Sequence, residues 1–254
     1  MRIGIGVAIA LFFSCSPAEP ETMVWEFVSS IRALEVTAEQ GIWWAGANGL
    51  VGHSMDDGAS WQVDTLRLSD GSLPAFRSIA VTNDAAFVLT IASPAVLFRR
   101  DLDRAIWDSV YVNHNPAVFF DSMVFWDDQE GLAMGDATAE CLSVLITRDG
   151  GRQWNLLDCS ELPGVATAAS GQKEAAFAAS NGNLVVQDDE VWMASGGAAS
   201  RIFHSSDRGR NWAVANTPIV QGGAMTGMFS VARCRDDGNA GMAWGGNWEE
   251  MEDN

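Results

Sequence analysis

Apolar positions along this chain come in short runs closed by Gly, Asp, Asn or Ser, the mark of strands joined by tight turns. The runs recur as a unit. Residues 31–53 read IRALEVTAEQ-GIWWAGANG-LVGH, residues 121–146 read DSMVFWDDQE-GLAMGDATAE-CLSVLI, and residues 174–204 read EAAFAASNGNLVVQDDE-VWMASGGA-ASRIFH. Each predicts a strand, a turn, a strand ending in a small residue plus Gly, a turn, and a third strand. An octapeptide of the form [ST]-x-D-x-G-x-x-W follows each time: SMDDGASW at 54–61, TRDGGRQW at 147–154 and SSDRGRNW at 205–212. A fourth short strand then starts at the Trp, in WQVDTL, WNLLDC and WAVANT.

Four strands per unit predict an all-β fold, a β-propeller of four-stranded antiparallel blades. The wide gap between the first two octapeptides holds one more unit, 76–107, whose turn keeps Asp101 and Trp107 but lacks the Gly. A fifth opens at TGMFSVARCRDDGNAGMAWGGNW, 226–248, and reaches only its second strand, so about four and a half blades are expected. In the recurrent turn, Asp56, Asp149 and Asp207 are suited to accept backbone N–H bonds while Ser54, Thr147 and Ser205 brace them. Gly58, Gly151 and Gly209 supply a positive-φ position. Trp61, Trp154 and Trp212 are expected to fold back between adjacent blades. Recurrence once per blade argues for a structural staple over a catalytic role.

The octapeptides resemble the Asp-box, or BNR, repeats of sialidase-like propellers, and WWAGANGLVGHSMDDGASW is similar to blades of the photosystem II assembly and stability factor group. FRSIAV, FFDSMVFWDDQEGLAMGD, EAAFAASN and TGMFSV resemble a related set of exported bacterial propellers that carry the label oxidoreductase. The resemblance covers roughly 27–248. Members of that set are longer, which implies a six- or seven-bladed ring of which this chain carries part. Fold likeness does not transfer activity.

Composition narrows the function. The 254 residues carry a net charge of −18 without a Lys/Arg-rich run, which argues against nucleic acid. The beginning, MRIGIGVAIALFFSCSPAEPE, has Arg2, an apolar run too short to span a bilayer, and a Pro/Glu linker, as an export signal does. FFSC resembles the lipobox, with Phe12 where Leu is usual. The domain reading is therefore signal peptide 1–14, lipidated N-terminus and linker 15–23, and propeller 24–254. Cys15 is the expected lipidation site, and the protein a periplasmic or cell-surface lipoprotein that meets the membrane only through its anchor. The alternative is an ordinary signal peptide with an incidental cysteine. Cys141 and Cys159 lie symmetrically about Gly150 and are disulfide candidates, two buried thiols being the alternative. Cys234 has no evident partner, and no metal site or cofactor is expected.

One constellation resembles a site. Arg77 precedes Ser78 and Asp121 precedes Ser122 at the start of two inner strands, while Glu174 and Thr226 stand at the corresponding places of the fourth and fifth units. Converging at one mouth of the channel, they suit an inter-blade ion cluster, a polar ligand, or acid/base work by Asp121 and Glu174 on a glycosidic bond. A sialidase mechanism lacks its nucleophile, since the one tyrosine, Tyr111, falls on an outer strand. No G-x-G-x-x-G opens a helix and no C-x-x-C is present, so the oxidoreductase label has no residue to carry it. His53 and His204 share a repeat position, which suits strand packing better than metal ligation. The reading is a lipid-anchored binding or assembly propeller with a protein or glycan ligand at its face and no chemistry of its own. The alternative is a glycan-active hydrolase.

Overall fold

The computed structural model describes residues 23–177, 181–234 and 240–250. Three sheets follow the repeat in chain order. The first holds β1 (Ile31–Thr37), β2 (Gly41–Gly46), β3 (Leu50–Ser54) and β4 (Gln62–Thr65). The second holds β5 (Phe76–Val81), β6 (Ala85–Thr90), β7 (Ala95–Asp101) and β8 (Ile106–Asn113). The third holds β9 (Phe120–Phe125), β10 (Gly131–Gly135), β11 (Ser143–Thr147) and β12 (Asn155–Leu156). All are antiparallel meanders, the grammar of propeller blades.

The fourth unit departs from the single inner strand expected over 174–190. It divides into β13 (Glu174–Ala175) and β14 (Leu184–Gln187), followed by β15 (Glu190–Ala194), β16 (Gly196–Gly197), β17 (Arg201–Ser205) and β18 (Ala213–Asn216). β14, β15, β17 and β18 make the fourth sheet. β13 and β16 instead join β19 (Thr226–Arg233) and β20 (Gly241–Asn247) in a fifth, so the half unit at 226–248 sits in a four-stranded sheet by borrowing two short strands. The join is a close backbone approach that only glycine permits. A Cβ on Gly196 would stand 2.7 Å from the Thr226 carbonyl oxygen, and one on Gly227, whose φ is 144°, 2.2 Å from the Gly196 Cα.

The core lies between sheets, because strands buried on both faces send alternate side chains to opposite neighbours. All six residues of β6 are buried. Ala86 and Val88 pack with Trp43, Ala45 and Val51 of the first sheet, while Phe87 and Leu89 pack with Phe120, Met123 and Leu145 of the third. Leu132, Met134 and Val144 meet Val191, Met193 and Phe203 in the next layer.

The three octapeptide turns share one hydrogen-bond scheme. Asp207 Oδ1 accepts the N–H groups of Arg210 (3.0 Å) and Asn211 (2.8 Å), and the Ser205 hydroxyl donates to it while accepting from the Gly209 N–H (2.8 Å). Asp149 with Thr147 repeats this, and Asp56 with Ser54 does so with only the Ser60 N–H on Asp56 Oδ1, the Ala59 N–H going to the Asp56 carbonyl; the Gly151 and Gly58 N–H groups are on the hydroxyls. Gly58, Gly151 and Gly209 have φ of 85°, 70° and 77°. The Trp154 and Trp212 indoles donate back to the Gly151 and Gly209 carbonyls, at 3.2 and 3.1 Å. Trp154 then meets Phe87 of the preceding sheet edge-on. Trp61 differs from the inter-blade expectation: it packs with Phe27 and Trp44 on the outer face of the first sheet, where no described sheet precedes it. Cys141 and Cys159 are joined by a disulfide that ties the start of β11 to the segment after β12, with a Cα separation of 5.4 Å.

Candidate functional site

Inner strands bulge at one recurrent position. In β5, Phe76 pairs with Thr90 and Ser78 with Leu89, leaving Arg77 as the extra residue. In β9, Phe120 pairs with Gly135 and Ser122 with Met134, leaving Asp121. β1 does the same with Arg32, between Ile31 and Ala33, and β19 with Phe229, between Met228 and Ser230. A bulge turns its extra side chain out of the pleat, so it is a natural device for aiming a residue at a channel mouth. Arg77 and Asp121 therefore occupy equivalent places. Thr226 does not: Phe229 takes that position, and the Thr226 hydroxyl closes a local turn with Gly223.

In the fourth unit the bulge has grown into a loop. Ala175 pairs with Gly196 and Leu184 with Met193, so 176–183 is inserted opposite two residues of the partner chain segment. Residues 181–183 bridge three other inner strands. Asn181 accepts from the Ser78 hydroxyl (2.9 Å) and the Met123 N–H (3.2 Å), and its amide donates to the Ile79 carbonyl (3.0 Å). Asn183, fully buried, accepts from the Ser122 hydroxyl, and the Gly182 carbonyl accepts from the Val231 N–H at 2.7 Å. The serines that follow the bulge residues are thus used to hold Asn181 and Asn183 against two inner strands.

Glu174 is displaced from the bulge position by this insertion. It is fully buried, and Arg201 Nε donates to both of its oxygens at 3.0 Å while Nη2 pairs with Oε2. The Ala166 N–H (2.8 Å) and the Ser195 hydroxyl complete its shell. The carboxylate is saturated by its own unit, which is what makes so deep an ion pair tolerable. Asp121 is also fully buried, yet neither of its oxygens accepts a hydrogen bond among the described residues. Burial pushes its carboxyl well above the usual carboxylate range, Asp136 adds to the rise, and the Arg77 guanidinium opposes it. Burial raises Asp136 to about 6, against the hydrogen bond it accepts from the Ala176 N–H at 3.0 Å.

The structure therefore groups Arg77, Asp121 and Asp136, and sets Glu174 with Arg201. Sequence reasoning missed Arg32, although IRA, FRS, FDS and MFS align by eye once the bulge is known. It also missed Asp136, Arg201, Asn181 and Asn183. Tyr111 lies on β8, half-buried against Phe120. His53 stacks on Trp43 at 4.4 Å and His204 meets Trp192 edge-on, both within strand layers. Among the described residues no three His, Cys, Asp or Glu side chains are placed to hold a metal ion. Cys15 and the segment 1–22 lie outside the described residues.

On the opposite end of the sheets, the turn after β9 and the third octapeptide are bound electrostatically. Glu130 pairs with Arg148 (2.8 Å) and Arg210 (3.0 Å), while Arg208 reaches Asp127 (2.5 Å) and Asp189 (2.7 Å). Asp127 and Glu130 are thereby held across the two sheets, and Asp189 within the fourth.

No protein-family model matches the chain, and no curated protein matches it. Among solved structures it is similar to U3-55K, at 11% identity over 76% of this chain and 53% of that one, with a TM-score of 0.51. It is similar to the phage phi92 endosialidase at 10% identity, over 82% and 49% of the two chains, with a TM-score of 0.50. It is also similar to YCF48 bound to D1 peptide, at 15% identity over 80% and 71%, with a TM-score of 0.43. The chain spans about half the length of the first two. At such identities the likeness concerns architecture alone, and together with five four-stranded antiparallel sheets it places this chain among the β-propellers.

Proposed function

We propose that this chain is a binding or assembly propeller with no chemistry of its own, exported and anchored through a lipid on Cys15, whose recurrent turns are Asp-box repeats. The observation that carries the reading is the state of its carboxylates. Glycoside chemistry needs two carboxyl groups open to substrate on either side of one bond. Here Glu174 is consumed by Arg201, Asp121 is sealed, and Asn181 and Asn183 are bonded to the inner strands that would line a substrate channel. A partner protein or glycan would dock on a face of the propeller away from these carboxylates.

Two measurements test this. Turnover by the purified protein across a broad polysaccharide panel should equal that of buffer, and the Asp121→Asn, Glu174→Gln double variant should change nothing; variant-sensitive release of reducing ends would establish the hydrolase instead. Cross-linking in membranes of the producing cell should then recover a partner that a control propeller does not. Incorporation of labelled palmitate, lost in Cys15→Ala, tests the anchor.

A further inference from the structure

Outer strands close each of the first four sheets, and they are unequal. β4 and β18 have four residues, β12 has two, and β8 has eight. Among the described residues β8 is paired only with β7 and stands last in its sheet. Edge strands are normally kept short or are guarded by charged side chains, Pro or β-bulges. β8, IWDSVYVN, is long for an edge and carries only Asp108 and one bulge, at Val110, between the Leu97–Tyr111 and Phe98–Ser109 pairs; its Ile106 and Val112 are about half exposed. At about 3.4 Å per residue it offers roughly 27 Å of unpaired backbone.

A groove of about 450 Å³ lies beside it, between the first and second sheets. Leu68, Val96, Phe98 and Val112 line it, and the ionisable groups in its wall are Arg67 and His114. Val96 pairs with Val112 and Phe98 with Ser109, so β7 and β8 present the same face to the groove. In a chain of net charge −18, a wall that carries the Arg67 guanidinium and no carboxylate is complementary to an anion. Arg67 spends one Nη1–H on the Gly71 carbonyl at 2.9 Å, which fixes the guanidinium without using up its donors.

We propose that the free edge of β8 and this groove form a docking site for an extended peptide segment, added as a further strand, with alternate apolar side chains in the groove and a carboxylate on Arg67. The proposal rests on the binding reading and gives it a surface. Added strands draw affinity from main-chain hydrogen bonds and specificity from pockets for alternate side chains, the two features found together here.

The probe is a labelled set of decapeptides alternating Val or Ile with Thr or Ser and ending in Asp-Glu, with a Lys-Arg counterpart, titrated into the whole chain by fluorescence anisotropy. The acidic set should bind saturably and the basic set should not. Arg67→Glu, at an exposed position, should weaken binding by about tenfold or more, as loss of a charge-assisted bond would. N-methylation of alternate peptide amides should abolish binding in one register and spare it in the other. Equal binding of both charge sets, indifference to Arg67→Glu, equal tolerance of both N-methyl registers, or no binding overturns the proposal. So does self-association through β8 that Val112→Lys removes, which would make a second copy the occupant. If these tests fail while cross-linking still recovers a partner, only the surface is wrong; if no partner is recovered either, the binding reading falls as well.

Discussion

Alanine at the three glycines of the recurrent turn separates a backbone cost from an inter-blade cost. Gly58, Gly151 and Gly209 hold the same turn position at φ of 85°, 70° and 77°, so each substitution carries a similar left-handed penalty of about 1–2 kcal/mol. Their surroundings differ. A Cβ on Gly58 would find its nearest neighbour at 3.8 Å, in ordinary contact; on Gly209 it would meet Ile146 Cδ1 and Trp212 at 3.2 Å; on Gly151 it would stand 2.1 Å from Phe87 Cε1. Phe87 is fully buried in the neighbouring sheet, stacked on Phe125 at 4.6 Å, and has no room to retreat. Overpacking there adds about 1–3 kcal/mol. The expected losses are about 1–2 kcal/mol for Gly58→Ala, slightly more for Gly209→Ala, and about 2–5 kcal/mol for Gly151→Ala. Urea unfolding followed by tryptophan fluorescence and far-ultraviolet circular dichroism reads them, provided the probes coincide and the slopes agree. If Gly58→Ala costs as much as Gly151→Ala, the turn is a local feature and the claim that it rivets one blade to the next is refuted.

Asp136, held near 6 in the fold against 3.8 as its ordinary value, binds its proton more tightly folded than unfolded. Its contribution is therefore fully present in acid and is lost as pH rises through about 6, by ~3 kcal/mol at most; urea midpoints of the native chain minus those of Asp136→Asn should fall between about pH 4 and 6, and a flat difference refutes the assignment. Glu174→Gln leaves the Arg201 guanidinium buried beside a neutral amide and should cost about 3–5 kcal/mol, whereas Glu140→Gln, in an exposed pair with Lys173, should cost under about 1 kcal/mol; comparable losses would contradict the burial argument. Replacing Cys141 and Cys159 by Ser should lower stability by about 3 kcal/mol, as expected for a loop of this length, and reduction should raise the intact mass by two hydrogens. A thermal melt unchanged by reductant would show the bridge does not constrain the fold.

Much of the fold was legible in the sequence because its signals are local and repeated. Ser54, Asp56 and Gly58 write their hydrogen bonds within eight residues, so the turn shows in the sequence wherever it recurs. Arg77 and Asp121 were legible for the same reason, each standing one residue before a serine in equivalent strands. Arg32 escaped because Ala33 replaces that serine, and Phe229 because Thr226 starts the strand three residues earlier. Glu174 was misplaced by an insertion whose purpose is not local. The Asn181 amide bonds to Ile79 across 102 positions of chain, and the pairing of Asp136 with Ala176 spans 40. Such contacts follow from the packing of inner strands of different sheets against one another, and a hydrophobic pattern along one strand carries no trace of them.

Carboxylate footprinting tests the central claim most directly. A water-soluble carbodiimide with a small amine modifies carboxyl groups that solvent reaches, and peptide mapping reports each position. The account predicts that in the native protein Asp121 and Glu174 stay unmodified while exposed Asp57 and Glu140 react, and that all four react once urea unfolds the chain. Rapid native labelling of both Asp121 and Glu174 would contradict it, because two reachable carboxyl groups at one channel mouth are what a glycan hydrolase needs.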